Sequence, residues 1–161
     1  MLKKLLVALA LTACSAPAAH AGARQQAIVT MPDDPAAQRG RAEWGYADAV
    51  VVGDTAYLSG LIAMQKEGEV GPEAAYERMF TTLGQRLQKV GCSWDDVVEM
   101  TSFHTDLASQ LPAFLSVKSR YVRAPFPAWT AVGVTRLVVP NGITEMKLVA
   151  RACHGAPAAQ K

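Results

Sequence analysis

The sequence predicts an α+β domain in which two helices cover one face of a mixed β-sheet. Strand-like segments recur along the chain, two segments carry a helical apolar stripe, and these helices separate groups of strands. The predicted order is β-β-(β)-α-β-α-β-β. Two helices can cover only one face of such a sheet, so an apolar opposite face needs a partner and we expect oligomerisation. The residues expected to supply that face are Val50, Val52, Leu58, Val132 and Val134.

The composition is that of an ordinary globular domain with short extensions. Of 161 residues, 50% are hydrophobic and 19% are charged. Lys3 and Lys4 account for the formal net charge of +2, and without them basic and acidic residues balance at 14 each. We therefore expect no nucleic-acid partner, because the chain has no basic tract.

Residues 1–21 have the organisation of a secretory signal peptide. Lys3 and Lys4 form a positive region, an apolar core too short to span a bilayer follows, and Ala19-His20-Ala21 fits signal peptidase cleavage. The alternative is a lipoprotein signal that ends before Cys14, because Leu11-Thr12-Ala13-Cys14 resembles a bacterial lipobox. Both alternatives place the domain in the periplasm or outside the cell, and only a lipidated Cys14 would attach it to a membrane.

Residues 22–45 are polar and rich in Gly, Pro and Ala, and we expect an N-terminal arm there. A short strand is expected over residues 27–31, with irregular linker around it. The folded domain is expected over residues 46–153, and residues 154–161 are expected to form a flexible tail.

The first half of the domain is expected to contain a hairpin and a helix. Strands over residues 47–52 and 55–59 flank the turn Gly53-Asp54, and residues 61–64 continue extended. Gly71-Pro72-Glu73 favours a helix start, an apolar residue then recurs every three or four positions, and Gly91 ends the helix. Ser93 is the expected N-cap of a short helical turn.

The second half is expected to add three strands and a helix. A strand covers Val97–Asp106, and a helix covers Leu111–Tyr121 with Pro112 in its first turn. Two further strands, Ala128–Val138 and Thr144–Ala152, are joined by the turn Pro140-Asn141-Gly142.

The cysteines and histidines indicate neither a metal site nor another cofactor. Cys92 and Cys153 are too far apart in sequence to imply proximity, and we expect Cys92 to be a small buried thiol rather than half of a disulfide. The three histidines are scattered, and His104 in mid-strand is expected to be structural.

Several segments together resemble the RidA/YjgF (reactive imine deaminase) family. They are Tyr46-Ala47-Asp48-Ala49-Val50, the hairpin from Val52-Gly53-Asp54 to Ser59-Gly60, the junction Gly91-Cys92-Ser93-Trp94-Asp95-Asp96-Val97-Val98, and the paired segments Pro127-Ala128-Trp129-Thr130 and Glu145-Met146-Lys147-Leu148-Val149-Ala150. The resemblance covers roughly Tyr46 to Ala152. Residues 101–106 and 129–135 resemble the YjgH-like branch of the family.

The resemblance implies a chorismate-mutase-like fold, a homotrimer, and clefts between subunits that hold small metabolites. In active members an arginine binds the carboxylate of a 2-imino acid, and a glutamate positions the water that hydrolyses the imine. Carried over by position, Glu145 would be catalytic. The implied ligand-binding residues are Tyr46, Ser59, Gly60, Trp129 and Thr130.

Trp129 stands where this family has its carboxylate-binding arginine. Indole offers one N–H donor and a large apolar face, so the site should prefer aromatic, apolar or cationic ligands over small 2-imino acids. Trp129 could equally pack a subunit interface, and Glu145 could be a solvated residue on the outer face of a strand. Nearby arginines lie at positions 120, 123 and 136, but Arg136 could act only across an interface.

Three functions follow from this departure. The first is an envelope protein that binds small metabolites at trimer clefts, with imine deaminase activity weak or lost. The second is an active imine or enamine deaminase, or a related small-molecule hydrolase, that uses Glu145. The third is a non-catalytic trimer that binds partners or acts like a chaperone.

Overall fold

The computed structural model describes residues 22–151. In chain order the elements are α1 (Ala23–Gln26), β1 (Ile28–Thr30), α2 (Pro35–Trp44), β2 (Ala49–Val52), β3 (Thr55–Met64), α3 (Glu73–Lys89), a 3₁₀ turn (Trp94–Asp96), β4 (Val97–His104), α4 (Leu107–Tyr121), β5 (Ala128–Gly133) and β6 (Gly142–Arg151). The predicted signal peptide, the alternative lipidation at Cys14, Cys153 and the predicted tail lie outside the described residues. Within residues 22–151, no helix combines the length and apolarity needed to cross a membrane.

The strands form one six-stranded mixed sheet in the order β1-β2-β3-β6-β4-β5. Neighbouring strands are antiparallel, except that β5 runs parallel to β4. Strands β5 and β6 follow one another in sequence, yet β4 lies between them. The prediction that β5 continues to Val138 is wrong, because its ladder with β4 ends where Gly133 pairs with His104, the last residue of β4.

Helices α3 and α4 pack on one face of the sheet, which we call the helix face. Tyr76 of α3 meets Phe114 of α4 edge to face, with 5.4 Å between ring centroids. Along β6, side chains from Thr144 to Ala150 alternate between burial beneath these helices and partial or full exposure on the opposite face, here called the open face. This arrangement confirms the predicted α+β fold.

The open face carries some, but not all, of the apolar residues expected there. Val50 and Val132 lie on it, since they pair with Tyr57 and Phe103 on neighbouring strands. Leu58 was expected on the same face, but it is buried on the helix face and pairs with Leu148.

Local sequence signals set most helix ends. Ser93 and Asp96 form a reciprocal capping box at the 3₁₀ turn, which confirms the predicted cap. Helix α4 begins at Leu107 instead of Leu111, because the Asp106 carboxylate accepts a hydrogen bond from the Ser109 N–H at 3.3 Å. Pro112 therefore lies inside the helix and not in its first turn.

Helix α2 corrects the expectation of irregular linker around residues 32–45. Asp34 caps it by accepting a hydrogen bond from the Ala37 N–H at 2.7 Å, Pro35 occupies the first helical position, and Gly45 ends it in the left-handed conformation at φ 70°. No residue of α2 is fully buried, so the sequence carried no apolar stripe that would mark the helix. The predicted short strand before it is confirmed as β1.

The expectation of a free thiol at Cys92 is wrong. Cys92 is disulfide-bonded. Its side chain belongs to the buried core, in agreement with the predicted burial. Burial alone did not distinguish a thiol from a bridge, because both fill the same apolar space.

Candidate functional site

Glu145 lies in the middle of the sheet, on the open face. Its neighbours in register are Ile62 on β3 and Phe103 on β4. Within residues 22–151 no hydrogen bond or ion pair engages its carboxyl group, and burial raises the pKa of that group above its usual range. A partly desolvated carboxyl group of this kind can hold or release a proton closer to neutral pH than an ordinary glutamate.

Gly60 provides the space that the Glu145 side chain occupies. A bulge between Leu58 and Leu61 shifts the register of β3 against β6 at this point. A Cβ added to Gly60 would lie 2.8 Å from Glu145 Cδ and closer still to Oε1. The close approach of backbone and carboxyl group therefore requires glycine at this position.

Tyr46 and Ser59 lie near the same part of the sheet. The Ser59 N–H donates to the Asp48 carbonyl at 3.0 Å, which ties β3 to the segment before β2. Tyr46 follows the end of α2, and the Arg41 guanidinium lies over its ring, 5.1 Å from the centroid. Both residues line a cavity of about 920 Å³, and Tyr46 and Gly60 line a second cavity of about 430 Å³.

Trp129 faces away from Glu145. It pairs with Met100 on the helix face, stacks on Phe114 at 5.6 Å, and donates its indole N–H to Ser102 Oγ at 2.9 Å. Lys118 Nζ lies 4.3 Å from the centre of the indole. Within one chain, Trp129 and Glu145 therefore do not face a common space.

Thr130 lies on the open face, as Glu145 does, but the two residues are not aligned in register across the strands. It pairs with Thr101, which pairs with Lys147, whereas Glu145 pairs with Phe103. Of the six predicted site residues, the structure thus groups Tyr46, Ser59, Gly60 and Glu145 around the bulge of β3. Trp129 and Thr130 lie on β5, which is three strands from β3 and two strands from β6, the strand that carries Glu145.

A charged cluster beside this group was not predicted. Asp48 Oδ1 accepts a hydrogen bond from Arg41 Nε at 3.0 Å and forms an ion pair with Arg86, whose Nη2 lies 2.8 Å away. Arg86 is 8% exposed, and its buried Nη1 has no partner within residues 22–151. Burial lowers the pKa of Arg86, and the nearby Asp48 carboxylate raises it. An unpaired buried donor costs about 1–3 kcal/mol.

The sequence did contain a signal for this cluster. Arg86 follows Leu83 by three positions and precedes Val90 by four, so it lies on the apolar stripe of α3. A charged residue on a buried stripe usually has a partner or a role in binding. The signal was missed because the partners come from separate segments. Arg41 lies in the segment that was expected to be an irregular arm, and Asp48 lies in the strand predicted over residues 47–52.

His104 belongs to a buried hydrogen-bond network on the helix face. Its ring nitrogens contact Ser102 Oγ at 3.0 Å and Thr144 Oγ1 at 3.1 Å, and Thr144 also contacts the Tyr76 hydroxyl at 3.0 Å. His104 is fully buried, and burial lowers its pKa. Within residues 22–151, no group of three or more His, Cys, Asp or Glu side chains is placed to hold a metal ion.

Comparison with known proteins identifies the family. Residues 36–152 match the Ribonuc_L-PSP family, described as Endoribonuclease L-PSP. RutC family protein YjgH of Escherichia coli is 37% identical over 115 residues, which cover 68% of this chain and 85% of that protein. A 2-iminobutanoate/2-iminopropanoate deaminase of Dermatophagoides farinae is 34% identical over 98 residues, or 57% of this chain and 74% of that enzyme.

Solved structures agree with these matches. A structure of Protein YJGH superimposes with a TM-score of 0.65 at 32% identity and covers 78% of this chain and 95% of that one. RidA from an Antarctic Psychrobacter gives a TM-score of 0.59 at 28% identity and covers 66% of this chain and 87% of its own. From its sequence match and its shared fold, this chain belongs to the Ribonuc_L-PSP (RidA/YjgF) family.

Proposed function

We propose that this protein is a cell-envelope member of the family that binds small metabolites at clefts between the subunits of a homotrimer. It hydrolyses imines through Glu145, but only weakly when the substrate is a 2-imino acid. The observation that carries the proposal is the partly desolvated carboxyl group of Glu145, held against Gly60 on the open face with no partner within residues 22–151. Relatives named 2-iminobutanoate/2-iminopropanoate deaminase support the reaction class.

The reaction requires a group that moves a proton between water and nitrogen. Glu145 accepts a proton from water as the water oxygen adds to the imine carbon, and passes this proton to the nitrogen, which gives a carbinolamine. It then transfers the carbinolamine hydroxyl proton to the nitrogen, so that the C–N bond breaks, ammonia leaves and a carbonyl compound remains. A raised pKa suits both transfers, because the carboxyl group must be deprotonated to accept each proton and protonated to donate it.

Weak activity on 2-imino acids follows from Trp129. This position has no guanidinium to bind a carboxylate, and its indole N–H is already donated to Ser102. The envelope location is supported by Lys3-Lys4, the apolar core and Ala19-His20-Ala21 at the N-terminus. The open sheet face, with Val50, Val132 and Tyr57 on it, supports assembly with other copies.

Ammonia release from freshly generated 2-iminopropanoate and 2-iminobutanoate tests the proposal. The protein beginning at Gly22 should be slow, and Glu145→Gln should abolish the remaining rate. Trp129→Arg should raise the rate if the missing cation limits binding of the carboxylate. A Glu145→Gln variant that retains the full rate would exclude the proposed chemistry. Sedimentation velocity on the same preparation should give three times the chain mass.

A non-catalytic, partner-binding trimer is the second candidate. It is favoured by Trp129, which is held by Phe114, Lys118 and Ser102 and so is occupied within its own chain. Under this alternative neither the natural protein nor Trp129→Arg releases ammonia, and the trimer forms all the same.

A further inference from the structure

A cavity of about 430 Å³ lies between α2, α3, β3 and the loop before β6. Its size falls in the range of sites for small molecules. Arg41 and Arg86 contribute its charged lining, and its apolar lining includes Trp44, Ile62 and Val138. Trp44 is 69% exposed, which is unusual for so large an apolar side chain.

The charged lining has an excess of positive charge. A single carboxylate oxygen, Asp48 Oδ1, accepts a hydrogen bond from Arg41 Nε at 3.0 Å and forms an ion pair with Arg86 Nη2 at 2.8 Å. Two guanidinium groups therefore share one compensating charge. Arg86 is more than nine-tenths buried, and its Nη1 lacks an acceptor among the described residues. A second acceptor with negative charge would complete this cluster.

We propose that Arg41 and Arg86 bind the carboxylate of a small organic acid in this cavity. Guanidinium groups match carboxylates in both charge and geometry. The apolar body of the acid would contact Trp44 and Tyr46, which line the same cavity. The ligand class is thus a monocarboxylic acid with an aromatic or branched apolar body.

The position of the cavity connects this site to Glu145. Gly60 lines the cavity, and the Glu145 side chain packs against Gly60. If the proposed hydrolytic function holds, on which this step rests, the two arginines would bind the carboxylate of substrates with an aromatic or branched apolar body, and not that of small 2-imino acids. A substrate held by its carboxylate at Arg41 and Arg86 would then extend towards Glu145.

Calorimetric titration with phenylacetate and its neutral isostere phenylacetamide tests the site. Phenylacetate should bind at least about tenfold more tightly than phenylacetamide. Arg41→Gln should raise the Kd for phenylacetate by about tenfold or more. Arg39→Gln is the matched control, because Arg39 is an exposed residue on the same helix that does not line the cavity. Equal affinity for acid and amide, or an Arg41→Gln variant that binds like the natural protein, would overturn the proposal.

Asp48→Asn should change the affinity for phenylacetate in the direction opposite to Arg41→Gln. Removing the shared negative charge should tighten phenylacetate binding several-fold, a gain that damage to the fold would not produce. Weaker binding by this variant in folded form would contradict the proposal. Glu145→Gln should bind phenylacetate normally. If it also keeps the natural rate of ammonia release, the proposed reaction fails while the binding site stands.

Discussion

The carboxyl group of Glu145 packs against the backbone of Gly60 across two paired strands. The bulge in β3 places Gly60 there, and a Cβ at this position would lie 2.8 Å from Glu145 Cδ, a distance that real side chains essentially never show. The far end of a glutamate side chain is flexible, so it can move away where backbone could not. Gly60 therefore determines the position of the Glu145 carboxyl group, and contributes little to the stability of the fold.

Gly60→Ala should separate activity from stability. The new methyl group displaces the Glu145 carboxyl group, and we expect at least a tenfold loss of imine hydrolysis. The free energy of unfolding should change by less than about 1 kcal/mol, because a less flexible unfolded chain offsets the local crowding. Gly133→Ala is the control, since its nearest contact would be an ordinary 3.9 Å to Leu107 Cβ. Equal activity of the two variants would contradict this role for Gly60.

Glu145→Gln should be more stable than the natural protein at neutral pH. Burial raises the pKa of Glu145 in the folded state, so its stabilising contribution is complete below the unfolded value and is lost as the pH rises through the folded value. Glutamine carries no charge, so the variant does not lose stability as the pH rises. Thermal unfolding should give the variant a higher Tm than the natural protein at pH 7.5, and a smaller difference in Tm between the two proteins at pH 4.0. A difference that does not depend on pH would exclude desolvation as the cause.

Trp129→Phe tests the structural role of the indole. Phenylalanine can retain stacking on Phe114 but cannot donate to Ser102, so we expect a loss of about 0.5–1.5 kcal/mol in the free energy of unfolding. Trp44→Phe, at an exposed position, should change it by less than about 0.5 kcal/mol. Urea denaturation compares the two variants, and equal losses would show that the Ser102 hydrogen bond contributes nothing measurable.

The parts of the structure that depend on neighbouring residues could be predicted from the sequence. Ser93 and Asp96 form their capping box within four residues, and the stripe of α3 follows from spacing alone. The insertion of β4 between β5 and β6 depends on pairing between distant segments, which no local pattern encodes. The face that Trp129 takes follows from that pairing, because it is set by the register with Met100.

The candidate site shows the same division. The resemblance to a known family led to Glu145 and Gly60, which the structure brings together. It did not lead to Asp48, Arg41 and Arg86, whose contact joins the segment before β2, α2 and α3. Such a cluster forms only after three elements have packed together. The one feature of the sequence that indicated it was the charge of Arg86 on the apolar stripe of α3.

The protonation of His104 can be assigned from its neighbours. Thr144 donates its hydroxyl proton to Gln110 Oε1 at 3.4 Å, which leaves its lone pairs to accept from the Tyr76 hydroxyl and from His104 Nδ1–H. His104 Nε2 then carries no proton and accepts from Ser102, whose oxygen accepts from Trp129. Every member of this network is satisfied when His104 is neutral.

Acid should therefore weaken the fold through His104. Burial lowers its folded pKa below the ordinary value of about 6.5, so the unfolded chain binds the proton first and stability falls as the pH drops from that value towards the folded one. A single proton sets a limiting slope of about 1.4 kcal/mol per pH unit. Urea denaturation between pH 7.5 and pH 5.0 should show a smaller loss for His104→Gln than for the natural protein, whatever the absolute stability of the variant. Parallel curves would mean that His104 is already charged in the folded state, or that the network reorganises to accept the proton.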